Sequence, residues 1–169
     1  MRDLFRGSAL LVVGIVLGSL LTGRSAAQQP GDAGVRLSGV GLSVKNVDAE
    51  FDYYTKMFGF REAFTQRDAE GKSTMRFLQI SRDTFLQLVP SNANRPPGLS
   101  SVLFEVDDVQ AIAAKLKQAG ATVGAVRPAE GTATKQPLAI LTDPEGFRVE
   151  LLQLTPGSSL RTAKESWKP

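Results

Sequence analysis

The chain of 169 residues contains neither cysteine nor histidine. Without cysteine there is no disulfide, no thiolate nucleophile, no thiolate metal site and no cleavage-site residue for a lipid anchor. Without histidine the commonest metal ligand and the usual neutral-pH proton shuttle are missing, and a Ser/His/Asp triad cannot be assembled. Aromatic residues are only 7% of the chain, with a single Trp. Basic residues are scattered rather than interleaved with them, which excludes a nucleic-acid platform. A phosphate-cradling loop is absent too, because Gly39 and Gly41 stand inside a strand pattern instead of opening a helix.

The order at the N-terminus is basic, apolar, small. Arg2 and Arg6 precede an uncharged run of 17 residues, Gly7 to Gly23, followed by Ser25-Ala26-Ala27. This predicts a secretory signal peptide over residues 1–27 and an exported, periplasmic or extracellular protein. The alternative is an uncleaved anchor formed by residues 7–23, at the short edge of what spans a bilayer; only then is a membrane a partner. Arg2, Arg6 and Arg24 against Asp3 supply two of the three net positive charges, so the remainder is nearly neutral. Roughly 140 mature residues suit one domain with its own core.

Two stretches 62 positions apart read almost as copies. Leu37 to Ala49 lies over Leu99 to Ala111 with six of thirteen positions identical. A repeated supersecondary unit accounts for this, since one copy cannot bury its apolar face alone. In the first copy, Leu37 to Lys45 alternates, placing Val40, Leu42 and Val44 opposite Gly39, Gly41 and Ser43. Asp48 is the expected cap of a helix reaching Phe58, with Phe51, Tyr54 and Phe58 as its apolar positions. Strands follow at 60–66, 73–80 and 84–89. Residues 28–35 form a spacer and Pro90 to Gly98 a linker. The second copy predicts strands at 100–106, 122–126, 136–142 and 147–154, with a helix over 108–118. Each copy is thus β-α-β-β-β, spanning 36–90 and 99–155. In the tail, 156–169, a short helix capped by Ser158 or Ser159 carries Leu160, Ala163 and Trp167. It either packs back onto the domain or serves as a partner-binding or cup-closing element.

Glu50 to Phe60, Phe104 to Val109 and Asp143-Pro144-Glu145-Gly146-Phe147-Arg148-Val149-Glu150-Leu151 resemble the signature words of the vicinal oxygen chelate superfamily, which includes glyoxalase I, bleomycin-resistance proteins and extradiol dioxygenases. The resemblance covers about residues 36–155. It implies an α+β fold in which two paired βαβββ modules form a cup, with a metal held between them. Carried over by position, the family's ligand places fall on Gly39, Gln87, Ser101 and Glu150. Glycine has no side chain and a serine hydroxyl is a poor neutral ligand, so no transition metal and no other cofactor is expected. A weakly held Mg²⁺ or Ca²⁺ with waters stays open.

The polar groups expected in the cup are Gln87, Ser101 and Glu150, above Gly39 and between apolar walls of Phe85, Leu103 and Leu152. Glu150 is either a catalytic base or ligand anchor, or a structural partner of Arg76 or Arg148. Gln87 either orients a ligand or satisfies Ser43 or Ser101. Glu105 is expected in a rim salt bridge. The glycines at 39 and 41 are expected to leave room on the cup floor. The leading expectation is a metal-free protein binding a small aromatic or amphipathic molecule, like the drug-sequestering members of the family. The first alternative is a metal-dependent lyase, isomerase or dioxygenase with Glu150 as base; the second is an interaction domain with a filled cup. A homodimer is compatible with the composition.

Overall fold

The computed structural model describes residues 34–168. The expected leader, 1–27, and most of the spacer lie outside the described residues. The first strand, β1 (Val35–Val44), shows the alternation read from its sequence. Its apolar face packs under helix α1 (Val47–Phe58), where Val44, Val47, Leu78, Leu86 and Leu88 form a buried cluster with Phe51, Tyr54 and Phe60 against it. Phe58, the last apolar position of that helical spacing, lies exposed on the end of the helix.

The cap of α1 also differs from expectation. Asn46, two residues earlier, accepts from the backbone N–H groups of Asp48 and Ala49 at 3.1 and 3.0 Å. That releases Asp48 for tertiary contacts. It accepts from the Ser73 hydroxyl at 2.7 Å and from Arg76 at 2.9 Å. Arg76 is buried beneath α1, with its guanidinium carbon 3.2 Å from the centroid of the Phe51 ring. It also binds Glu62 at 2.7 Å and Thr65 at 3.0 Å. One guanidinium therefore ties α1, β2 (Arg61–Arg67) and β3 (Ser73–Ser81) together.

After β4 (Thr84–Pro90) the chain repeats the plan with β5 (Gly98–Val106), α2 (Val109–Gln118), β6 (Leu138–Thr142) and β7 (Arg148–Leu152). Strand order is β2-β3-β4-β1-β5-β7-β6 in one mixed sheet. Within each half the first and last strands run parallel, β1 with β4 and β5 with β7; across the middle, β1 and β5 are antiparallel. The sheet has seven strands, not eight. Expected strand 122–126 is reduced to isolated bridges at Val123↔Leu141 and Arg127↔Leu138, because Gly124 and Pro128 interrupt any regular ladder. Likewise β6 starts at Leu138 rather than Gln136, since Pro137 has no N–H to donate.

The two helices cover one face of the sheet, and the other face is the cup. Its centre is partly filled by α3 (Ser159–Glu165) from the tail. Leu160 and Ala163 pack against Phe77, Phe85, Leu103, Leu138 and Leu152 in one buried cluster. Ion pairs hold the helix down: Lys164 meets Glu105 at 2.7 Å and Asp83 at 2.9 Å, and Arg36 meets Glu105 at 3.3 Å. Beyond the helix, Arg61 lies over the Trp167 ring, 4.5 Å from its centroid. The tail thus both packs back and closes part of the cup.

Two expectations follow. Leu160 is fully buried, so Leu160→Ala should cost about 2–5 kcal/mol in denaturant unfolding; a loss below ~1 kcal/mol would contradict the packing of α3. The hydrogen bond from Lys164 holds the Asp83 carboxyl below its ordinary range, and the Ser73 hydroxyl with Arg76 does the same for Asp48. A depressed folded pKa stabilises above the unfolded value and is lost as pH falls through the folded one. The melting temperature should therefore hold from pH 7 to about 5 and drop below about pH 4. Lys164→Met should lower it at pH 7 and flatten that acid limb. An acid limb of equal steepness in the variant would contradict the Lys164–Asp83 link.

Candidate functional site

The floor of the site begins at the two glycines of β1. Gly39 has φ +153, and a Cβ there would run into the carbonyl of Phe85 on β4. At Gly41 a Cβ would run into the Ser101 hydroxyl and stand 2.6 Å from Ser100 Oγ and 2.7 Å from Gln87 Oε1. The glycines do not leave open room, as the sequence reading expected. They let the neighbouring strands approach, and neighbours occupy the space.

Register explains which groups meet there. Gly41 pairs with Gln87 on β4 and with Ser101 on β5. The Ser101 hydroxyl donates to Gln87 Oε1 at 3.3 Å, while Gln87 Nε2 faces Met75 Sδ at 3.8 Å. Ser43, the other partner considered for Gln87, donates to the Arg95 carbonyl at 3.0 Å instead. Both Gln87 and Ser101 are buried. On the second half, Leu103 pairs with Glu150 on β7, at a place corresponding to Gly41 and Gln87 on the first.

Gln87 and Glu150 both border a cavity of about 270 Å³, whose buried apolar floor is Phe77, Leu138 and Leu152. Glu150 is 7% exposed and accepts from Arg148 Nε at 2.9 Å. Arg76 points away beneath α1, so of the two partners considered for Glu150 only Arg148 meets it. The remaining polar wall comes from Gln66 on β2, Ser100 on β5 and the loop residues Arg95, Arg127, Thr132, Thr134 and Gln136. Gln136 is 1% exposed, and neither atom of its amide has a hydrogen-bond partner among the described residues.

Four expected wall residues lie elsewhere. Phe85 and Leu103 are fully buried in the cluster under α3 and do not border the cavity. Gly39 is sealed beneath Phe85, and Ser101 sits behind Gln87, bordering an outer groove of about 730 Å³. The tail helix α3 covers the apolar centre of the cup and confines the cavity to the polar end. Arg95, Arg127 and Gln136 escape sequence reasoning because loop residues carry no periodicity. Arg148 had a signal, its place after the Asp143–Gly146 turn and two residues before Glu150.

The family's metal can be tested against these residues. Gly39 offers no donor, Ser101 is committed to Gln87, and Glu150 is committed to Arg148. Among the described residues no group of three Asp or Glu side chains is placed to hold a cation. One engaged carboxylate and one engaged amide do not make the three or four ligands a transition metal takes.

Comparison with known proteins places this fold. A methylmalonyl-CoA epimerase from Mycobacterium tuberculosis is 19% identical with a TM-score of 0.58, over 71% of this chain and 88% of that chain. A hypothetical protein from Bacillus halodurans C-125 is 16% identical with a TM-score of 0.58, over 73% and 97%. A variant of the Streptomyces coelicolor methylmalonyl-CoA epimerase, in complex with 2-nitronate-propionyl-CoA, is 20% identical with a TM-score of 0.57, over 73% and 96%. Identities this low speak to the fold alone. No curated protein sequence matches. The model of the Glyoxalase/Bleomycin resistance protein/Dioxygenase superfamily, however, matches residues 36–151, and the chain belongs to that superfamily.

Proposed function

We propose that this chain is an exported binding protein that holds a small molecule in its cup without a transition metal. The observation that carries the reading is the convergence of Gln87 and Glu150, from the two halves of the sheet, on one cavity beside the unpartnered amide of Gln136. A pocket with an apolar floor and a few placed polar groups is the usual form of a small-molecule site. At about 270 Å³ it stands just under the roughly 300–1,000 Å³ of drug-sized pockets, which suits a compact ligand. Export rests on the basic, apolar, small order of residues 1–27. Among the described residues no helix is long and apolar enough to cross a membrane.

The enzyme reading asks more of the same residues. For Glu150 to act as a base it must exchange the Arg148 guanidinium for a substrate proton. For a metal to assist, ligands must come from groups already engaged with one another. The binding reading requires neither change.

Elemental analysis of the purified full chain, combined with a chelator challenge, separates the two. The expected result is substoichiometric Zn²⁺, Ni²⁺ and Fe²⁺ and an unchanged melting temperature after EDTA. One tightly bound equivalent of any of these, with EDTA-sensitive turnover of a hemithioacetal, would overturn the proposal.

A further inference from the structure

The inner cavity is lopsided in charge. Three arginines, Arg95, Arg127 and Arg148, line it beside a single carboxylate, Glu150. Glu150 neutralises Arg148. Arg95 spends one Nη on the Pro90 carbonyl at 2.8 Å, but its Nε is buried without a partner. Arg127 forms no salt bridge among the described residues.

Unpartnered buried polar atoms cluster at the same place. Six such side-chain atoms occur among the described residues, and four of them belong to this cavity's wall: Arg95 Nε, Ser100 Oγ and both amide atoms of Gln136. Native proteins keep such groups satisfied by a partner, water or ligand. Their concentration at one site points to a polar occupant, and the surplus of guanidinium sets its sign. The floor, in contrast, is apolar, formed by Phe77, Leu138 and Leu152, whereas Arg127 and Arg148 are exposed at the mouth. Arg95, Ser100 and Arg148 also border the outer groove, so the charged rim is reachable from solvent.

Accepting the cup as a ligand site, we propose that its ligand is a small organic anion: a carboxylate on a compact apolar body. The body rests on the Phe77–Leu138–Leu152 floor, and the carboxylate is received at the mouth by Arg127 and Arg148. A planar guanidinium matches a carboxylate by paired N–H donors, which a lysine would not. Glu150 opposes this recognition, because it competes for Arg148. It therefore sets affinity downward, a role opposite to that of a ligand anchor.

Titration calorimetry on the full chain tests this with benzoate and hexanoate as probes, and with benzamide and benzylamine as neutral and cationic counterparts of matched shape. Both carboxylates should bind about tenfold tighter than benzamide, and benzylamine weakest. Arg127→Gln should lose about tenfold for the carboxylates and nothing for benzamide. Glu150→Gln, which frees Arg148, should tighten carboxylate binding even as it lowers the melting temperature. The melting curves of both variants establish that they fold. Equal affinity for all four probes would leave the cup a ligand site but overturn the anion assignment, as would weaker carboxylate binding in Glu150→Gln. Heat from none of the four would overturn both the anion assignment and the ligand-site reading beneath it.

Discussion

The antiparallel pairing of β1 with β5 is the contact on which the rest of the structure depends. It fuses two halves, each with its own parallel pair next to the seam, into one seven-stranded sheet. Shifts in register between Leu37 and Gly39, and again between Gly41 and Leu42, add local twist at the seam. The glycines at those shifts let β4 and β5 close in. Any larger residue at Gly39 would push against the Phe85 backbone, and any at Gly41 against Gln87, Ser100 and Ser101. The close contact of Gln87 with Ser101 is thus a product of backbone proximity at the seam.

Two ion networks then fix what lies on either side. Beneath α1, Arg76 joins Asp48, Glu62 and Thr65, with Phe51 against its plane. On the cup side, Lys164 joins Asp83 and Glu105 and so seats α3 on the apolar centre. Seating α3 has a consequence for function. Phe85 and Leu103 become core, and the cavity is left at the end where the loop arginines and Gln136 converge. A segment beyond the residues matched by the family model therefore shapes the space available to a ligand.

The fold was legible because its evidence is periodic. Alternation along β1, the helical spacing in α1 and α2, and the offset of 62 positions between them all repeat, and repetition survives local noise. What was not legible depends on single atoms or on segments without a period. Asn46 and Asp48 are both good caps, and only the presence of Arg76 and Ser73 nearby decides which one is released. The eighth strand failed on Gly124 and Pro128, local features that outweighed the pattern of the copy. In the site, Gln87 and Glu150 came from the family resemblance, carried over by position. Arg95, Arg127 and Gln136 were missed, since a loop residue's direction is set by the chain around it. The glycines were read as space when they serve as close contacts, because a sequence shows the missing side chain but not the neighbour that takes its place.

The seam and α3 together leave a pocket lined by three arginines and one carboxylate, which we propose holds an organic anion without a metal. The most direct measurement is a crystal structure of the protein grown with benzoate. The account predicts a ring against Phe77, Leu138 and Leu152, its carboxylate between Arg127 and Arg148, and no metal ion beside Glu150. Benzoate bound elsewhere with the cavity holding only water, or a metal ligated by Gln87 and Glu150, would contradict it.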